Sequence, residues 1–247
     1  MRTIIALCAL AALAASPAMS AEQGKAAPGR EKKTDTKALE FGAEIMQDMK
    51  PVEALNMYLD GFHFFADDMG RQMEAHHFCS ALNEEIHQCA IYEGADSSSR
   101  LIGVEYIISE RLFRELPEEE KRLWHSHGHE VKSGQLVAPG VPDLAEHRLM
   151  EKLVTTYGKT WHTWDTHGHD LPMGIPALMM GFTADGQLRP EMLAGRDERL
   201  GVAYQEKRKA REDIPMPRPD PTANSWRSGT TYQLGLEQKP FKGLHGK

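Results

Sequence analysis

The segment HHFCSALNEEIHQC, residues 76–89, limits the fold more than any other stretch of the chain. Residues 76–82 and 86–92 are short β-compatible runs, and Asn83, Glu84 and Glu85 between them predict a hairpin. Pairing Leu82 with Ile86 sets Ala81 opposite His87, Cys79 opposite Cys89 and His77 opposite Ile91. Because side chains alternate across a strand, His77, Cys79, His87 and Cys89 then share one face. Three chemistries stay open there: a cross-strand Cys79–Cys89 disulfide, two buried unpaired cysteines, or a tetrahedral thiolate–imidazole metal site. A register slip of one residue would separate the cysteines, so the first and third depend on the turn.

The remaining pattern mixes periods. Over residues 37–65 apolar side chains recur at helical spacing, at Leu39, Ile45, Met46, Met49, Val52, Leu55, Tyr58, Leu59 and Phe62. This predicts two short helices, the second opened by Pro51, with a stripe that packs into the core. Asp48, Asp60, Asp67 and Asp68 on their other faces argue against a basic amphipathic membrane binder. LIGVEYIIS, residues 101–109, predicts a buried strand, and residues 110–124 a helix interrupted at Pro117. Residues 130–138 read as another strand, and Asp143 is placed to cap a helix running to about residue 157. Strand-like KTWHTWDT, the apolar residues 177–182 and a highly charged helix over 197–212 follow. That irregular order predicts an α+β single domain, antiparallel β-hairpins with flanking helices, rather than a doubly wound βαβ fold. The domain is placed at residues 37–196, after a flexible leader over 22–36 that lacks large apolar side chains. A charged helix and Pro-rich C-terminal arm occupy 197–247.

Arg2 precedes an apolar run over residues 4–15, too short to cross a bilayer, and small residues follow at Ala18, Ser20 and Ala21. Residues 1–21 therefore read as a signal peptide, which predicts a periplasmic or secreted protein with no transmembrane segment after its removal. The 29 basic and 36 acidic residues leave a net charge of -7 with no long basic block, which argues against nucleic acid as a partner. The chain contains neither G-x-x-x-x-G-K-[ST] nor G-x-G-x-x-G, so no nucleotide cofactor is expected. G-x-S-x-G and H-E-x-x-H are also missing, and the hydrolase-elbow and zincin readings lose their support.

Ten of the twelve histidines lie between His76 and His169, which concentrates titratable and ligating groups in one part of the chain. WHSHGHE, residues 124–130, lines His125, His127 and His129 along one side of an extended chain. Glu130 joins them only if the chain kinks, for which Gly128 is available. A His-x-His pair with a carboxylate is a ligand set for zinc or another transition metal, and solvated or structural histidines are the competing reading. WHTWDTHGHD, residues 161–170, adds His162, either packed between Trp161 and Trp164 or serving as a further imidazole ligand.

The stretches HHFCSALNEEIHQCAIYE, LIGVEYIIS, LPEEEKRLWHSHGHEVKSGQL, YGKTWHTW and GFTADGQL, in that order over roughly residues 40–215, resemble the DUF1264 family. Its plant members are called oil body-associated proteins. The resemblance implies that His76, His77, Cys79, Cys89, His125, His127, Glu130 and His162 occupy shared motif positions, with His87 and His129 outside them. It carries no catalytic mechanism, and it implies that some plant members associate with lipid-body surfaces. The leading expectation is an exported protein that binds zinc or another transition metal through His125, His127 and Glu130, joined by His162 or by the hairpin residues His76 or His77. The alternative is a non-enzymatic lipid-surface or envelope-associated protein with structural histidines. A hydrolase or oxygenase would need an open metal position, and the sequence names no reaction or substrate.

Overall fold

A computed structural model describes residues 27–242. The expected signal peptide, residues 1–21, and the first part of the expected leader lie outside the described residues. Strand β1 (Met57–Phe65) pairs with β2 (Asp68–Ala81), β2 with β3 (Ile86–Tyr92) and β3 with β4 (Leu101–Ile108). A two-residue strand β5 (His125–Ser126) precedes β6 (Tyr157–His162) and β7 (Ala177–Met180). β4 pairs with β6, β6 with β7 and β7 with β1, every pair antiparallel, so six strands close into a barrel. Closure removes both sheet edges. β5 continues the β7 side of β6, with His125 opposite Gly158. The architecture is α+β with antiparallel strands, as expected, although alternation along single strands did not reveal the closure.

The hairpin has the register read from the sequence: Ala81 opposite His87, Cys79 opposite Cys89 and His77 opposite Ile91. The turn is held by Asn83, whose side-chain oxygen accepts from the backbone N–H groups of Glu85 and Ile86. Cys79 and Cys89, with Cα atoms 4.0 Å apart, form a disulfide, so neither thiol is available to a metal.

Helices α1 (Thr34–Met46) and α2 (Lys50–Glu53) precede the barrel. The expected second helix ends there, because residues 57–65 form β1. The helical spacing of Tyr58, Leu59 and Phe62 misleads because β1 is covered on both faces and so carries apolar residues on both. Phe62 and Phe64 pack outside the barrel against Leu178, Met180, Phe182 and Leu193. Leu59, His63 and Phe65 belong to the opposite, inward parity. A second correction concerns α1: none of its residues is buried, so its apolar stripe is not core.

Helices α3 (Glu110–Glu115) and α4 (Glu118–Lys121) flank Pro117 as expected. Residues 130–138 do not form a strand: α5 (Gly128–Ser133) takes their first part, and Val137 makes only an isolated bridge to Asp60. Helix α6 (Asp143–Leu153) stops before Gly158, which lies in β6, and Asp143 is its first residue, bonded to Lys207 at 3.0 Å rather than capping. The charged helix expected over 197–212 is two helices, α7 (Pro190–Leu200) and α8 (Tyr204–Ala210), divided at Gly201, whose φ of 61° favours glycine.

Two apolar clusters fill the barrel. Phe65, Met73, Ile91, Ile102 and Met179 pack one end. Leu59, Cys79, Cys89 and Ile107 pack the other, closed by Val131, Leu136, Met150 and Leu153 from α5, the loop after it and α6. Between these clusters lies a belt of polar side chains.

Candidate functional site

The inward parity of the strands assembles the belt. β1 supplies His63, β2 His77, β4 Glu105, β5 His125 and β6 His162, all buried. The chain then turns into α5 at Gly128, which brings Glu130 to the side of His125 and His127. His129 points away, its Nε2 3.9 Å from Asp185. His76, one residue from His77, lies on the outer face of β2, where it meets Tyr58 Oη at 2.7 Å and Asp60 at 3.2 Å.

Glu105 is the centre of the belt. His77 Nε2 donates to Glu105 Oε2 at 2.8 Å, and His63 Nε2 lies 3.6 Å from the same oxygen. His127 Nε2 lies 3.2 Å from Glu105 Oε1, and His125 Nε2 3.5 Å. His162 Nε2 approaches His63 Nδ1 at 3.4 Å. The tautomer of His127 is set from behind. The Thr156 hydroxyl donates to the Leu153 carbonyl at 2.7 Å, so at 2.8 Å it accepts from His127 Nδ1. When neutral, His127 therefore turns the lone pair of Nε2 toward a carboxylate, an arrangement that a cation between them stabilises.

Burial holds three of the imidazoles neutral. It pushes His125 and His162 down to about 3 and His63 well below the usual histidine range. Burial alone would raise Glu105, but the hydrogen bond that His77 donates holds its carboxyl well below the usual range. Burial, reinforced by the charge of Glu105, drives Glu130 well above it. The belt thus sets the neutral imidazoles of His63, His125 and His162 near an ionised carboxylate, with an acid alongside. Both nitrogens of His125, Nδ1 of His77 and of His162, and Oε1 of Glu130 lack hydrogen-bond partners.

These atoms suit a metal ion. His63, Glu105 and His125 offer ligand atoms within 4.8 Å of one another, as do His125, His127 and Glu130. Ligands about 2.0–2.1 Å from a tetrahedral ion lie about 3.3 Å from each other. The nitrogens of His63, His125 and His127 stand 3.2–3.6 Å from the Glu105 oxygens, which matches that edge. The adjoining void, lined by His63, His77, Glu105, His127 and Glu130, measures about 20 Å³, room for one water but not an organic substrate.

Two glycines keep the belt open. A Cβ at Gly158 would fall on Glu105 Oε1 and 2.7 Å from His127 Nε2, and one at Gly181 would fall on Glu130 Oε1. Gly158→Ala is therefore expected to cost about 1–3 kcal/mol, the usual penalty of overpacking. Urea unfolding measures this, and an unchanged midpoint would show that the belt is looser than described.

Sequence reasoning missed His63 and Glu105. His63 lies outside the histidine-rich segment, in a stretch with helical spacing. Glu105 carried a signal, as the lone charge in the otherwise apolar LIGVEYIIS.

Comparison with known proteins places these residues in a wider group. The family described as Protein of unknown function (DUF1264) matches residues 49–215. Oil body-associated protein 1B of Arabidopsis thaliana is 46% identical over 91% of this chain and 95% of its own length. Oil body-associated protein 1A of Zea mays is 45% identical over 84% of this chain and 88% of its own. Oil body-associated protein 2A of Zea mays is 43% identical over 78% and 77%. No solved structure matches. These relatives correct the expectation of a periplasmic or secreted protein, since proteins matched over most of their length are named for oil bodies. Among the described residues no helix is long and apolar enough to cross a membrane.

Proposed function

We propose, from the premise that this chain belongs to the DUF1264 family, that it associates with a lipid surface through helix α1. The exposed apolar face of that helix carries the reading. Leu39, Phe41, Ile45 and Met46 are 64–83% exposed, with Phe41 and Ile45 one turn apart. A helix with such a face gains by laying it into a lipid interface. The names of the relatives supply the kind of surface, an oil body. Asp35, Glu40 and Glu44 outnumber Lys37 on α1, so insertion rests on apolar area rather than on attraction to anionic headgroups. Flotation with phosphatidylcholine-coated triacylglycerol droplets tests this. Phe41→Asp with Ile45→Asp should lower the partition constant at least about 100-fold, since burying each such side chain contributes about 1.5–3 kcal/mol. Both residues are exposed, so the barrel is unaffected. Unchanged flotation of the double variant, or flotation that disappears in high salt, would refute the reading.

The polar belt supports a second reading, compatible with the first, in which the barrel holds one transition-metal ion, zinc or another. The match between the nitrogen–oxygen spacings around Glu105 and the edge of a ligand tetrahedron carries it. Elemental analysis of chain purified without a histidine tag or chelator should give about one ion per chain. A metal-free sample that also fails to take up added zinc would make the histidines structural.

A further inference from the structure

We propose that a divalent transition metal enters the barrel through the pocket beside His162, and that His162 passes it to His63. The inference rests on the metal-centre reading. The pocket is a surface cavity of about 240 Å³ walled by Phe65, Arg71, His162, Trp164, Asp165 and His169. His162 belongs to both spaces: it lines this pocket, and its Nε2 lies 3.4 Å from His63 Nδ1 inside the barrel. It is buried, and its Nδ1 has no hydrogen-bond partner. The larger 340 Å³ pocket near Phe78 and Tyr92 has no belt residue in its wall.

Volume decides where the ion must lose its water. Six waters at about 30 Å³ each need about 180 Å³, which the outer pocket accommodates and the inner void of about 20 Å³ does not. Hydration is therefore exchanged at the mouth, where the lone pair of an imidazole nitrogen replaces a departing water. The mouth does not repel a cation: Arg71 is paired with Asp165 at 2.7 Å, and its guanidinium lies over the ring of Phe65. Beyond His162, His63 faces Glu105 at 3.6 Å, the first carboxylate met past the mouth.

Stopped-flow loading of the metal-free full chain with Co²⁺, followed by removal with excess chelator, tests the route. His162→Leu removes the nitrogen at the mouth, and Met173→Trp narrows the pocket from an exposed position without touching the barrel. A gate on the path slows entry and exit by the same factor, because it cannot change the equilibrium. Both variants should load Co²⁺ about tenfold more slowly, and Met173→Trp, which replaces no belt residue, should also release it about tenfold more slowly with final content and affinity unchanged. Unaltered rates in both would overturn the route. Faster release with normal loading in His162→Leu would also overturn it, by making His162 a resident ligand. Absence of Co²⁺ uptake by the unmodified chain is a different result, which removes the metal-centre reading itself.

Discussion

His125→Ala is expected to abolish stoichiometric metal, lowering affinity by at least about 100-fold, whereas His76→Ala should leave it unchanged. His125 is common to the two candidate ligand sets of the belt, His63 with Glu105 and His127 with Glu130, whereas a third group, Asp60, Glu74 and His76, lies outside the barrel and does not contain it. Its removal leaves each of these two sets one imidazole short. Loss of an outer partner alone commonly costs 10–100-fold, so loss of a shared ligand should cost more. His127→Ala should be less severe, since His63, Glu105 and His125 remain. His76 is the control that separates this assignment from a general effect of histidine content. It is as buried as His77 but lies outside the barrel, bonded to Tyr58 and Asp60. Metal content measured on variants of matched thermal stability decides the matter. Retention of one ion by His125→Ala, or its loss in His76→Ala, would refute the belt as the binding site.

The contrast between His76 and His77 also shows how far a sequence can be read. Local pairing was legible: the turn chemistry of Asn83 and the hairpin alternation set Cys79 opposite Cys89 and separated the faces of His76 and His77. Gly128 marked the bend by which Glu130 joins His127. Long-range closure was not legible. β4 and β6 meet through a connection of some fifty residues, and nothing in either strand distinguishes a barrel seam from an ordinary neighbour. That seam sets Glu105 opposite Thr160, so the centre of the belt was missed with it. β1 failed for another reason. A strand covered on both faces loses the period of two, and its apolar residues at positions 58, 59 and 62 imitate a helix. On α1 the periodicity was right and the burial wrong, because an amphipathic pattern reports a face to be covered without saying what covers it.

Acidification of the metal-free chain should expose the same belt energetically. His125 and His162 are held at about 3 by burial, against about 6.5 in the unfolded chain. Between these values the unfolded chain binds protons that the folded chain does not. Stability is therefore present above about pH 6.5 and is lost as the pH falls toward 3. Each group contributes about 2 kcal/mol of this loss between pH 7 and pH 5, at 1.36 kcal/mol per pH unit over the 1.5 units below 6.5. His63 acts with the same sign. Glu130 and Asp60, raised by burial, act oppositely, since the folded chain protonates them first. Comparison with a variant cancels these contributions. His162→Gln cannot titrate, so between pH 7 and pH 5 the unmodified chain should lose about 2 kcal/mol more stability than the variant, read from urea unfolding in the presence of chelator. Equal losses would mean that His162 carries its proton inside the folded barrel, where it would repel an incoming cation rather than pass it on.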